Sequence, residues 1–199
     1  MTNYISKWFN FMKTKLPDNQ LKLIGNKVFL LPISLSDCTE KYLNWLTDPE
    51  VNRYLETRWV PQNMESIRCF VSRMIEDPSN YLFGIRELKS EQHIGNIKLG
   101  PINPEHAYAD VSYFIGDKRA WGKGFATEAI KLITRFGFER LNLHRLQARL
   151  YSSNIGSARA LEKAGYQLEA VFKKQLRLVS DWEDNLCYSI FKEQMTMKF

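Results

Sequence analysis

Apolar positions recur along this chain in two periods. "KVFLLPI", from Lys27 to Ile33, is a short apolar run that predicts a β-strand. "SDCTEKYLNWLTDP", from Ser36 to Pro49, predicts a helix capped by Ser36 and stopped at Asp48-Pro49, and a short helical piece follows over Glu50 to Glu56. Ile67, Phe70, Val71, Met74 and Ile75 then fall at i, i+3, i+4, i+7 and i+8, which predicts a helix with one core-facing stripe, ended by Asp77-Pro78. The period next changes to that of strands. "YLFGIREL", "HIGNIKLG" and "AYADVSYFIG" follow one another as an antiparallel meander with a turn at Pro101 to Pro104. A helix from Phe125 to about Arg140, the strand "HRLQARLY", a helix from Asn154 to about Ala164 and closing strands near Tyr166–Lys173 and Leu186–Lys192 complete the series. Gly165 is placed to end the second of these helices with a positive φ. This order predicts an α/β protein (an α+β mixed sheet), largely antiparallel, with helices on both faces.

The chain has 199 residues, of which 44% are hydrophobic and 25% charged, enough for one well-buried core. We expect a single domain over residues 23–199, preceded by an amphipathic extension over 1–22 in which Tyr4, Ile5, Trp8, Phe9, Phe11, Met12 and Leu16 recur at roughly helical spacing. That extension predicts a helix on its own domain or on a second copy of the chain, so a homodimer is open, with a membrane surface or another partner as the alternative. The formal net charge is +6, but the basic residues are scattered, which favours an anionic small ligand at least as much as nucleic acid. Cys38, Cys69 and Cys187 are far apart and in no C-x-x-C arrangement, so neither a disulfide framework nor a zinc site is written here. His93, His106 and His144 have no metal-ligand spacing, and no metal is expected. No run approaches a membrane span of about 20 apolar residues, and a reducing cytoplasm is the expected setting.

The stretch that carries chemistry is "GDKRAWGKGFATEAIKL", from Gly116 to Leu132. A Walker loop fails because Gly116 lies too far from Gly122 and Asp117 follows it, and a dinucleotide fingerprint fails because Thr127 holds its third glycine place. The glycines nonetheless lie between a strand and the first turn of a helix. There, unpaired N–H groups and the helix dipole favour an anion, and backbone without Cβ atoms approaches phosphate oxygens closely.

"RAWGKG" fits R/Q-x-x-G-x-G/A, and with it "WGKGFATEA" followed by "NIGSARALEKAGY" resembles the GNAT superfamily of acetyl-CoA-dependent N-acetyltransferases, in particular its RimJ/RimL-like branch. The resemblance runs from about Lys27 to Phe191. It implies that the amides of Trp121, Gly122, Lys123, Gly124, Phe125 and Ala126 hold the pyrophosphate of acetyl-CoA, with Arg119 and Lys123 adding charge and Thr127 offering a hydroxyl. Asn154 and Ser157 would meet the pantetheine chain, Asn154 serving also as a helix cap. Arg159 and Lys163 are candidates for the 3′-phosphate or solvated surface charge. The fourth strand, "DVSYFIG", would splay from the fifth, and the backbone N–H groups of Phe114 and Ile115 would bind the thioester carbonyl.

Direct transfer to an amine requires a neutral lone pair, a stabilised oxyanion and a proton for the thiolate. Asp110 matches an acidic position of the branch, a base or a strand-end carboxylate; Glu128 is expected to stabilise its helix dipole. Where many relatives carry a tyrosine acid this chain has Leu161, so Ser157, Tyr166, another tyrosine or water is left to protonate the sulfur. Tyr54, Glu56, Arg58 and Trp59 form a polar-aromatic set for the acceptor or ordinary loop packing, and Asp184 in "VSDWEDN" attracts a cationic amine or is a solvated turn residue. An amino-sugar nucleotide or a protein N-terminus stands ahead of polyamines and antibiotics as acceptor. A catalytically silent acetyl-CoA-binding module and a nucleic-acid-binding domain are the readings of other classes.

Overall fold

The computed structural model describes residues 21–195. An eight-stranded sheet runs in the order β1-β2-β3-β4-β5-β6-β8-β7. Its strands are β1 (Leu23–Ile24), β2 (Val28–Pro32), β3 (Tyr81–Glu87), β4 (His93–Asn103), β5 (Tyr108–Ile115), β6 (Arg145–Tyr151), β7 (Gln167–Leu178) and β8 (Asp181–Phe191). Every neighbouring pair is antiparallel except β5 and β6. The six helices are α1 (Glu40–Thr47), α2 (Pro49–Asn52), α3 (Met64–Glu76), α4 (Phe125–Arg135), α5 (Ile155–Lys163) and α6 (Lys192–Met195) among the described residues, with a π-helical turn prolonging α4 over Phe136–Arg140. The mixed sheet and its main helices are those the apolar periods predict, while β1 and α6 are additions to them.

Alternation along the strands divides the helices between two faces. Ile97, Leu99, Val111, Ala148 and Leu150 pack with Ile130, Ile133 and Leu161 of α4 and α5 in the main core. Phe114 and Leu82 belong to a second core with Tyr42, Trp45, Ile67 and Val71 of α1 and α3. Each fully buried aliphatic or aromatic side chain of this kind contributes about 1.5–3 kcal/mol. The stripe predicted on α3 is inside at Ile67 and Val71, whereas Ile75 is exposed.

Several local expectations change. Thr39, not Ser36, caps α1, its hydroxyl accepting from Tyr42 N–H at 3.4 Å, because Leu35–Asp37 form a separate 3₁₀ turn. The closing strands are longer than expected and join through a tight turn with Val179 at φ 54°, so Asp181 to Asn185 are strand rather than solvated turn. Gly165 ends α5 at φ 99° as expected, with Tyr166 N–H returning to Leu161 O at 3.0 Å. The amphipathic segment 1–22 lies outside the described residues apart from Leu21 and Lys22, and Leu21 is packed in the main core.

Glu128 does something the sequence does not announce. Its carboxylate accepts the backbone N–H groups of Asn26 (2.9 Å), Lys27 (2.6 Å) and Val28 (2.8 Å), tying the β1–β2 turn to the first turn of α4. The helix-dipole role expected of it is thus secondary to a three-way anchor. Glu128→Ala is expected to cost about 2–3 kcal/mol, since three donors lose a charged acceptor together. Thermal unfolding checks this: an unchanged melting temperature would show that water replaces the carboxylate without loss.

Candidate active site

β5 ends at Ile115, and the chain turns through a 3₁₀ turn at Lys118–Ala120 before α4 begins. Asp117 organises the turn, its carboxylate accepting from Arg119 N–H at 3.0 Å and from the Arg119 guanidinium at 2.8 Å. That guanidinium holds the Asp117 carboxyl below the usual carboxylate range. Trp121 then reaches back, donating its indole N–H to Ile115 O at 2.8 Å. Gly122 (φ 73°) and Gly124 (φ 82°) both take left-handed backbone, and Gly124 is the N-cap of α4 with no side chain to cap it.

The consequence is a run of bare donors. The first amide of α4 to find an intrachain acceptor is Glu128 N–H, on Gly124 O at 3.1 Å. The six N–H groups from Gly122 to Thr127 have no partner among the described residues. They open onto a cleft of about 2040 Å³ lined at this end by Trp121, Gly122, Gly124, Phe125, Ala126 and Thr127. A Cβ built on Gly122 would meet nothing within 4 Å. Lys27, Lys131, Arg135, Arg159 and Lys163 bring positive charge to this part of the lining. Arg119 and Lys123, named from the signature, do not line it: Arg119 is spent on Asp117, and Lys123 is exposed with its carbonyl accepting from the Lys27 ammonium at 3.1 Å.

From the glycine turn the cleft passes through the sheet. β5 and β6 pair only over Tyr108↔Arg145, Ala109↔Leu146 and Asp110↔Gln147, and then separate. These are the fourth and fifth strands of the sequence reading, renumbered because Leu23–Ile24 also forms a strand. Gly116 N–H donates to Ile94 O at 2.8 Å, and with the register Gly95↔Ile115 and Asn96↔Phe114 this fixes the ladder alternation. The Ile115 amide therefore faces the splay, while the Phe114 amide is turned into β4. Phe114 supplies its ring instead, 6.2 Å from those of Tyr42 and Trp45.

Asn154 caps α5, its side-chain oxygen accepting from Ser157 N–H at 3.2 Å, and both residues line the cleft. Ser157 also accepts, through its carbonyl, the hydroxyl of Tyr113 at 3.1 Å, so that β5 is bridged to α5 across the splay. Burial pushes the Tyr113 phenol up to about 12. Asp110 stands at the closed end of the splay, where Gln147 donates to it at 2.7 Å; it is not itself in the lining.

Tyr166 is the clear correction. Its ring is 2% exposed, its hydroxyl is bonded to Thr134 Oγ1 at 2.9 Å, and burial pushes its phenol up; it lies in the main core, away from the cleft. Leu161 is fully buried, as its apolar side chain requires. The predicted acceptor set divides as well. Tyr54 and Glu56 line the cleft, with Tyr54 donating to Ser153 O at 3.2 Å and Glu56 accepting from Tyr151 at 2.7 Å and Trp59 at 3.0 Å. Arg58 is a clamp: it bonds Leu55 O (2.8 Å), Tyr151 Oη (2.6 Å) and Arg177 O (3.0 Å) beneath the Trp59 ring, outside the lining. Asp184 is held by the Lys173 ammonium at 2.8 Å and Lys174 N–H at 2.9 Å and faces the β7–β8 hairpin rather than the cleft.

Sequence reasoning missed Tyr113 and Lys98. Both sit in ordinary alternating strands, and only the pairing of β4 with β5 brings them to the cleft. Among the described residues, no group of three or more His, Cys, Asp or Glu side chains is placed to hold a metal ion.

The chain is similar to known proteins in sequence and in fold. The acetyltransferase (GNAT) domain family matches residues 27–167. "Probable N-acetyltransferase YjcK" of Bacillus subtilis (strain 168) is 36% identical over 117 residues, 58% of this chain and 64% of its own length. "Uncharacterized N-acetyltransferase YnaD" of the same organism is 34% identical over 140 residues, covering 69% of this chain and 81% of that protein. In fold, the chain is similar to spermidine N-acetyltransferase from Vibrio cholerae solved in complex with CoA and spermine, with a TM-score of 0.76 at 19% identity over 86% of this chain and 99% of that one. The family match, over more than half of the chain, and the cleft geometry agree: this chain belongs to the GNAT acetyltransferase family.

Proposed function

We propose that the chain is an acetyl-CoA-dependent N-acetyltransferase of the RimJ/RimL-like branch that moves the acetyl group directly to a primary amine within a ternary complex. The observation that carries this reading is the run of six unpartnered N–H groups from Gly122 to Thr127, opening into a cleft that continues through the β5–β6 splay. The fit to a pyrophosphate rests on this chain's own geometry: left-handed glycine backbone, open space where a Cβ would stand, and lysine and arginine side chains beside it.

Acetyl-CoA would supply an acyl group already activated as a thioester. The chain's residues would do the rest by placement. The Gly122–Thr127 amides bind the phosphates, and Asn154 with Ser157 orients the arm beside α5. Ile115 N–H, facing the splay, is the donor placed to meet an oxygen that gains negative charge. Asp110, held by Gln147 at the closed end of the splay and outside the lining, would take the proton of the amine through water. For the departing sulfur, Ser157 and Tyr113 offer the protic groups at the splay once Tyr166 is withdrawn into the core. Holding the two reactants in one cleft supplies much of the remaining rate. An amino-sugar nucleotide and a protein N-terminus remain the acceptors of choice in this reading.

Thermal unfolding with acetyl-CoA, set against ATP, NAD and a short DNA duplex, tests the reading. At 100 times its dissociation constant acetyl-CoA should stabilise the fold by about 2.7 kcal/mol. Release of free thiol on adding amines should follow. No selective shift would sink the cofactor assignment, and a shift without turnover on any amine would leave a binding module in place of an enzyme.

A further inference from the structure

We infer that the acceptor carries an anionic group, a carboxylate or phosphate, close to its reacting amine, and that Lys98 reads that group. This rests on the acetyltransferase reading and deepens it.

Lys98 lies on β4 opposite Ser112, and the register puts both on the sheet face that carries Phe114 and looks toward α1 and α3. This is the side of the splay opposite α4 and α5, and so the side from which an acceptor meets a thioester held along α5. Lys98 is half-buried and lines the cleft, yet it makes no hydrogen bond or ion pair with the described residues. Asp110 and Asp77 are the acids whose charge reaches it, and burial outweighs them in holding its ammonium below the ordinary lysine range. A desolvated cation without a partner is costly to keep, and an anion in the cleft would offset that cost.

The other charges of the lining point the same way. Its carboxylates are engaged: Glu128 by three backbone amides, Glu50 by Lys118, Glu56 by Tyr151 and Trp59. Arg73 and Arg149, in the lining with Lys98, have no carboxylate partner among the described residues. The Thr57 hydroxyl, buried in the lining and able to donate to an anion, also lacks a hydrogen-bond partner. A polar, anionic acceptor answers these cations and the free hydroxyl; a polyamine would bring positive charge against three cations that have no ion pair among the described residues.

Steady-state kinetics on matched amines decides the matter. Glucosamine is compared with glucosamine 6-phosphate, and glycinamide with glycine, alongside spermidine, for the wild type and for Lys98→Met and Lys98→Arg. The wild type should prefer the anionic member of at least one pair by tenfold or more in kcat/KM, and which pair separates phosphate from carboxylate. Lys98→Met should collapse that ratio through the acceptor KM, with the KM for acetyl-CoA unmoved, and Lys98→Arg should restore much of it. Preference for spermidine or for the neutral members, or a ratio that survives Lys98→Met, would overturn the proposal. Thermal stabilisation by acetyl-CoA, measured on each protein, shows that each variant folds and keeps this failure apart from failure of the acetyltransferase reading. Should none of these amines turn over, their stabilisation of the CoA-bound protein gives the same contrasts, and the absence of an anionic preference there overturns the proposal equally.

Discussion

A Gly124→Val protein is expected to bind acetyl-CoA about 100-fold more weakly than the wild type while remaining folded. Gly124 holds φ 82° and ψ 8° at the N-cap of α4. A β-branched residue disfavours that conformation by about 1–2 kcal/mol. The fold can absorb the change, since a Cβ there meets only the end of a flexible side chain, Lys27 Nζ, at 3.4 Å. The ligand site cannot. Relief of the strain swings the peptide planes on either side of Gly124, and those planes carry donors of the unpartnered run. A loss of about 2.7 kcal/mol of binding is the arithmetic equivalent of 100-fold. Calorimetric titration of acetyl-CoA measures it directly, and a dissociation constant within about fivefold of the wild type would mean that these amides do not hold the phosphates.

The largest effect on stability is expected at Gly95. A Cβ at this position would stand 2.2 Å from Phe114 O, 2.9 Å from Ile115 Cα and 3.1 Å from Phe114 C, all backbone atoms of the neighbouring strand. Nothing there can rotate aside, so β5 itself must move. Gly95→Ala should therefore cost about 3 kcal/mol, the upper part of the usual range for overpacking. For a domain of this size that is a fall of about 6–12 °C in melting temperature. The displaced strand carries the Ile115 amide toward the splay, so turnover should fall by more than the unfolded fraction explains. Gly156, whose Cβ would meet nothing within 4 Å, is the comparison site. Equal melting temperatures for Gly95→Ala and Gly156→Ala would show that the strands have room that the register denies.

What was legible beforehand follows the range of the interactions. The α3 stripe, the cap at Asn154, the stop at Gly165 and the two glycines of the turn are each decided within a few residues, by period, by a side chain reaching its own first turn, or by a φ that only glycine adopts cheaply. The order of strands and helices likewise led to the mixed sheet. Side-chain roles set by distant partners were not legible. Arg58 looked like a reader of ligands because it lies in a dense polar loop, yet it is consumed by Tyr151 and Arg177. Arg119 fits the signature, but Asp117, two residues earlier, holds it first. Tyr166 follows a motif residue by residue and still points into the core, where its hydroxyl is bonded to Thr134 of α4.

By itself, then, the sequence determined the main elements, the glycine turn before α4 and the family they announce, because backbone conformation and apolar period are written locally. Only the tertiary structure decided which polar groups are already satisfied. Glu128 finds its partners about a hundred residues away, and Lys98 reaches the cleft unpaired through the register of β4 on β5. Whether a charge is free to meet a ligand depends on every group that folding brings within hydrogen-bonding distance, and that is a property of the packed chain.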